Sequence, residues 1–339
     1  MTDINLLRRA YRLMCLGKTM AETYEANRSI CKYVHSTSRG HEAIQLAAAF
    51  QLRPHDYVSP YYRDESMLLG LDFTPYQLML QLLAKQDDIF SCGREYYSHP
   101  NYKRGDKPNI IHQSSATGMQ AIPTTGIAHG IQYLSSINSP LVEGTPIVIC
   151  SMGDASLTEG EVSEALQFAV LKQLPIIYLV QDNNWGISVS ADEARAMNAY
   201  EYAAGFKGMN RIQVDGTDFE ASYDAMKFVC DFVRTERKPY LVHAQVPLLG
   251  HHTSGVRKEF YRSQQDIAKH MQNDPHPKLR NKLLSSGINE EEIVEIEKEA
   301  VRVVADDFAK AIAAPEPDPA TATDHVFAPT TLLEEKGER

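Results

Sequence analysis

Asp154 and Asn183 stand 29 positions apart, each just beyond the end of a short apolar run. The stretch from Thr145 to Ser188 reads TPIVICSMGDASLTEGEVSEALQFAVLKQLPIIYLVQDNNWGIS. A carboxylate beside an amide oxygen suits a hard cation such as Mg²⁺, which keeps part of its water shell and takes further oxygens from a phosphate. Singly, Gly153-Asp154 reads as a turn and Asn183-Asn184 as a polar loop. The pair at this spacing points to a site.

The elements around the pair explain how it is brought together. Ile147 to Cys150 is an apolar run halted at Gly153, the pattern of a buried strand. Glu161 to Lys172 sets Val162, Ala165, Leu166 and Ala169 on one helical face. Pro175 restarts the chain, and Ile176 to Val180 forms a second buried strand ending in Asp182, Asn183 and Asn184. Strand, helix and strand make a βαβ unit, whose strand ends open at one edge of the sheet. That edge is where open α/β sheets bind ligands. The helix starting near Thr158 to Glu161 aims free N–H groups into the same space, which favours a diphosphate.

GDASLTEGE followed by QDNNWGIS resembles the thiamine diphosphate motif, which begins Gly-Asp-Gly and ends in Asn-Asn. More narrowly, the chain resembles the α subunits of 2-oxo acid dehydrogenases, the decarboxylating components of pyruvate and branched-chain complexes. The resemblance implies thiamine diphosphate and Mg²⁺ as cofactors. It implies Asp154, Asn183 and the backbone carbonyl of Trp185 as metal ligands, with Gly153, Ala155, Ser156 and Gln181 against the cofactor. Two residues depart from the pattern. Ala155 stands at the motif's second Gly, which is tolerable where φ is negative. Gln181 replaces an Arg that branched-chain enzymes often place on phosphate, one charge fewer.

Other segments carry the same resemblance. DYVSPYYRDES matches the family's Tyr-Arg after an Asp-x-Val strand, implying Tyr62 and Arg63 on the terminal phosphate. A guanidinium fork suits that task. HQSSATG is similar to the family's Ser-Ser segment and makes Ser115 a contact for the cofactor or a monovalent cation. GHHTSG follows a strand at Tyr240 to Val246, and its double His resembles the branched-chain type more than the pyruvate type. His252 is thereby implied as the catalytic histidine, able to bind phosphate or shuttle a proton near neutral pH. In SRGHEA, His41 replaces a family Gln and reads as a helix-start residue. For His99, in GREYYSH, a functional and a purely structural role both stand. Gly126 and Gly130 read as a packing surface.

Further strands at Arg211–Asp215 and Tyr240–Val246 alternate with a helix over Phe219–Thr235. The expectation is an α/β fold with a doubly wound, mostly parallel sheet and helices on both faces, the thiamine-diphosphate-binding fold. Residues 1–313 form the α-subunit domain; residues 314–339, rich in Pro, Thr and charge, read as a tail or linker. The chain is 339 residues long, 43% hydrophobic and 23% charged, the composition of a globular protein with a full core. A net charge of −10 without basic runs argues against nucleic acid, and no apolar stretch reaches membrane-span length. Five scattered cysteines without C-x-x-C suggest reduced thiols and a cytoplasmic location.

By the resemblance, a β-type subunit or fused domain supplies the carboxylate that activates the cofactor, in an α₂β₂ assembly. The product acyl group passes to a lipoyl acyltransferase. The implied reaction is oxidative decarboxylation of a branched 2-oxo acid of the 2-oxoisovalerate type. Alternatives are a pyruvate or acetoin dehydrogenase α subunit, a transketolase-like half, and a non-catalytic scaffold. A dinucleotide oxidoreductase is disfavoured because no G-x-G-x-x-G follows a strand.

Overall fold

The computed structural model describes residues 3–111 and 114–324. Of the expected tail, residues 325–339 lie outside the described residues. Its first residues pack on the body: Pro315 O accepts from Gln86 N–H at 2.9 Å, and Lys85 Nζ reaches Ala314 O at 3.0 Å.

Six strands form one sheet: β1 (Tyr57–Ser59), β2 (Asn109–Ile110), β3 (Val148–Gly153), β4 (Ile176–Asp182), β7 (Asn210–Asp215) and β8 (Tyr240–Gln245). Their order is β2-β1-β3-β4-β8-β7, and every pairing is parallel. A separate two-stranded ladder joins β5 (Trp185–Gly186) to β6 (Val189–Ser190).

Both faces of the sheet are buried, so its central strands are apolar at nearly every position. On one face, Ile149, Ile177, Leu179, Val242 and Ala244 pack against α1 (Ile4–Ala26), α2 (Glu42–Ala49), α3 (Glu65–Gly70), α4 (Pro75–Leu82) and, after it, α9 (Phe219–Glu236). On the other, Val148, Cys150, Met152, Tyr178 and Val180 pack against α5 (Ala121–Ser136), α6 (Gly160–Lys172) and α8 (Ala199–Ala203). The alternation along β3 and β4 assigns each residue to one side. Between β6 and α8 lies the single turn α7 (Ala191–Ala194).

The C-terminal part holds α10 (Gln264–Met271), α11 (Pro275–Ser285) and α12 (Glu290–Ala313). Pro275 opens α11 at its first turn, where a missing N–H costs nothing. The expected βαβ unit is present with one refinement. A 3₁₀ turn over Asp154–Thr158 intervenes between β3 and α6, which starts at Gly160.

Glu65 places a carboxyl in this core. It is fully buried, one carboxylate oxygen accepts from the Tyr97 hydroxyl, and the other has no partner among the described residues. Burial raises its pKa from 4.5 to about 8, against the lowering effect of Tyr97. Because the folded value lies above the unfolded one, its stabilising contribution is complete below about pH 4.5 and is lost as pH rises through about 8. Glu65→Gln should therefore melt close to the parent at pH 4.5 and at a higher temperature at pH 9. Melting curves whose separation does not change with pH would rule this titration out.

Candidate active site

The register of β3 against β4 pairs Gly153 with Gln181, so the residues that follow share one edge. There Asn183 N–H points at Asp154 Oδ1, 3.4 Å away. A cavity of about 610 Å³ opens at this edge. It is lined by Tyr62 and Arg63 after β1, Gly153, Asp154, Ala155 and Ser156 after β3, Asn183 after β4, and His252 after β8. Ser115 and His99 close it from the long loop and the approach to α5. Nine of the eleven expected site residues thus meet around one space.

Gln181 and Trp185 do not line it. Gln181 is fully buried beneath the floor with its amide wholly engaged. Its Nε2 donates to Asp64 Oδ1 at 2.6 Å and to Ser151 Oγ at 2.9 Å; its Oε1 accepts from Gln45 Nε2 and faces His41 Nδ1, both at 2.9 Å. An amide spent this way has no donor left for a phosphate, which corrects its expected place against the cofactor. Trp185 sets its ring tilted against Tyr261 and under the Arg262 guanidinium, while its backbone N–H donates to Asn183 Oδ1 at 3.0 Å.

Ala155 lies outside the left-handed region, so its methyl carries no backbone strain. Room for it comes from Gly186: a Cβ built there would sit 3.0 Å from the Ala155 methyl.

Arg63 is 1% exposed, and no carboxylate among the described residues pairs with it. It donates to His252 O at 3.1 Å, while its buried Nε has no partner. An unneutralised guanidinium held among carbonyls is a built anion site. His252 accepts the Ile187 N–H at Nδ1, 3.2 Å away, which leaves the ring proton on Nε2, facing Tyr62 Oη at 3.3 Å. Burial, then the Arg63 charge, pushes the His252 pKa down to about 3. Near neutral pH the ring is therefore uncharged, with its Nε2–H turned toward Tyr62 Oη. Ser115 Oγ lies 3.1 Å from His99 Nε2, and His99 Nδ1 lies 2.9 Å from Tyr97 O. That geometry gives His99 the task of holding Ser115.

Three residues that pattern reading missed complete the site. His41 is fully buried at the start of α2, with Nε2 3.2 Å from Asn183 Nδ2, and so orients that amide. Burial, then Arg63, holds its pKa down to about 3, keeping the ring neutral. Asp182 takes His243 Nε2 at 2.8 Å. Arg195, just after α7, bridges Asp154 Oδ2 at 2.5 Å and both oxygens of Asp182 at 2.7 and 2.8 Å. Burial and the neighbouring Asp182 charge raise the Asp154 pKa against the pull of Arg195. Burial also acts to raise that of Asp182, but the His243 bond and Arg195 outweigh it and hold the carboxyl low. The only sequence signal for His41 was its place in SRGHEA; Arg195 sits in a polar stretch with no signal at all.

No cluster of three or more His, Cys, Asp or Glu side chains suits a metal among the described residues. The oxygen donors that meet at the cavity are the Asp154 carboxylate and the Asn183 amide. Such a set fits a cation that shares its shell with water and a phosphate.

Residues 11–320 match the family model described as "Dehydrogenase E1 component". The chain is 29% identical over 322 residues to the 2-oxoisovalerate dehydrogenase subunit alpha of Bacillus subtilis, covering 94% of each chain. It is 27% identical over 244 residues to the mitochondrial 2-oxoisovalerate dehydrogenase subunit alpha 1 of Arabidopsis thaliana, 72% of this chain but 49% of that protein. The pyruvate dehydrogenase E1 component subunit alpha of Mycoplasma genitalium is 26% identical over 283 residues, 83% of this chain and 73% of that one.

His41→Leu should weaken Mg²⁺ binding by about tenfold or more, the usual effect of removing a group that orients a ligand. His41→Gln, whose amide can still accept from Asn183, should recover most of the loss. Titration calorimetry reads both; equal affinities in Leu and Gln variants would remove His41 from this role.

Proposed function

The chain belongs to the dehydrogenase E1 component family, and on that premise we propose that it is the α-type decarboxylating component of a 2-oxo acid dehydrogenase using thiamine diphosphate with Mg²⁺. The reading rests on one observation: Asp154, Asn183, Arg63 and His252 converge on a single cavity at the sheet edge. When bound, thiamine diphosphate supplies the nucleophilic carbon and the electron sink for decarboxylation.

This chain's own residues anchor and orient. Asp154 and Asn183 offer oxygens to the cation, and the family resemblance adds the Trp185 carbonyl as the third. Arg63 offers its unpaired guanidinium to the terminal phosphate, beside Tyr62 and the Nε2–H of His252. Gly153, Ala155 and Ser156 bring backbone close to the diphosphate, and Ser115 closes the cavity opposite. The substrate proposed is a branched 2-oxo acid of the 2-oxoisovalerate type, supported by the names of the Bacillus and Arabidopsis relatives and by the His251-His252 pair.

The site also requires a partner in this reading. Asp154 and Asp182 are bound to Arg195 and Asp64 to Gln181, and by the family resemblance the group that activates the cofactor ring comes from a β-type subunit or domain, within an α₂β₂ assembly that passes its acyl product to a lipoyl acyltransferase. A cytoplasmic location belongs to the same proposal and is supported by five unpaired cysteines.

The test is reduction of an artificial electron acceptor by a panel of 2-oxo acids, with and without the β-type partner. Turnover should require the partner and favour branched over straight chains. Preference for pyruvate would move the assignment to the pyruvate type, and full turnover by this chain alone would overturn the shared site.

Arg63→Ala should raise the cofactor dissociation constant by about tenfold or more, from the loss of one charge-assisted contact worth roughly 1.5–3 kcal/mol. A variant that slows turnover while binding cofactor normally would place Arg63 on the substrate instead.

A further inference from the structure

Arg195 sits on the carboxylate proposed for the cation. Its NH1 lies 2.5 Å from Asp154 Oδ2, the more strongly engaged of the two oxygens, since the other receives only the Asn183 N–H at 3.4 Å. Its NH2 grips both oxygens of Asp182 at 2.7 and 2.8 Å. The three side chains are nearly out of water, at 9% exposure for Arg195, 3% for Asp154 and 6% for Asp182. Mg²⁺ binds carboxylate oxygen at about 2.0–2.1 Å in near-octahedral geometry. A guanidinium N–H and Mg²⁺ cannot both take the same buried oxygen face at those distances.

We propose that Arg195 is a built-in competitor for the metal site: it caps Asp154 until Mg²⁺ enters and then keeps only its hold on Asp182. The proposal rests on the reading of Asp154 as the metal ligand. The two contacts of NH2 with Asp182 make the exchange feasible, because Arg195 can release Asp154 without becoming an unpaired buried cation. His243, on the far side of Asp182 at 2.8 Å, holds that carboxylate in place during the swing.

The experiment uses the full chain and Mg²⁺ alone, with the fluorescence of Trp185, the single tryptophan of the sequence, as the signal. Mn²⁺ counted by its electron paramagnetic resonance provides a second readout. Arg195→Gln should bind either metal about tenfold or more tightly, the worth of one charge-assisted contact removed from the competitor. Stopped-flow rates should level off with rising Mg²⁺ in the parent, where Arg195 must leave first, and rise linearly in the variant. Arg195→Lys, which keeps the charge but cannot bridge two carboxylates as a fork, should fall between them and serves if the Gln variant does not fold. Unchanged or weaker metal binding in both variants, or rates linear in the parent, would overturn the proposal. Asp154→Asn tests the underlying reading separately: metal binding that survives it would remove Asp154 as ligand, whatever Arg195 does.

Discussion

Asp154 and Asp182 bring two carboxylates to the ends of neighbouring parallel strands, almost wholly shielded from water. Like charges at such a spot are unfavourable unless a cation or several donors answer them. Here the answer comes from three directions. Arg195 reaches both, His243 reaches Asp182 from β8, and the Asn183 N–H reaches Asp154. Each contact ties a different element to the same edge, so the arrangement of β3, β4, β8 and the segment through α7 is set jointly by one electrostatic need.

The βαβ unit was legible because each of its signals is local. Apolar runs ending in Gly153 and Asp182, a helical stripe from Val162 to Ala169 and the break at Pro175 need no knowledge of the rest of the chain. Parallel pairing then follows from the strand–helix–strand order, and with it the meeting of Asp154 and Asn183. Arg63 and His252 were legible through their segments, which resemble a known pattern and enter at the same edge.

What stayed hidden depends on contacts between distant positions. Arg195 belongs to a polar stretch of short turns whose periodicity says nothing, and its partners lie 41 and 13 residues away. The 3₁₀ turn before α6 and the two-residue strand β2 are too short to leave a pattern. The pKa of His252 was equally out of reach, since its depression comes from burial and from Arg63, placed 189 residues earlier.

His41 and Gln181, the two polar positions that depart from the family's pattern, are in direct contact in this chain. The contact has a direction. Asp64, when ionised, can only accept, so the Gln181 nitrogen must face it and the Gln181 oxygen must face His41. His41 then carries its proton on Nδ1, and its bare Nε2 accepts from Asn183 Nδ2. With its nitrogen held there, Asn183 must turn its oxygen the other way, where it meets the Trp185 N–H beside Asp154. An arginine at 181 has no acceptor and would force His41 to accept on Nδ1, reversing the chain and presenting Asn183 with a donor. Histidine at 41 and glutamine at 181 are therefore a matched pair. Neither touches the cavity's anion site, yet together they decide which atom of Asn183 is offered to a cation.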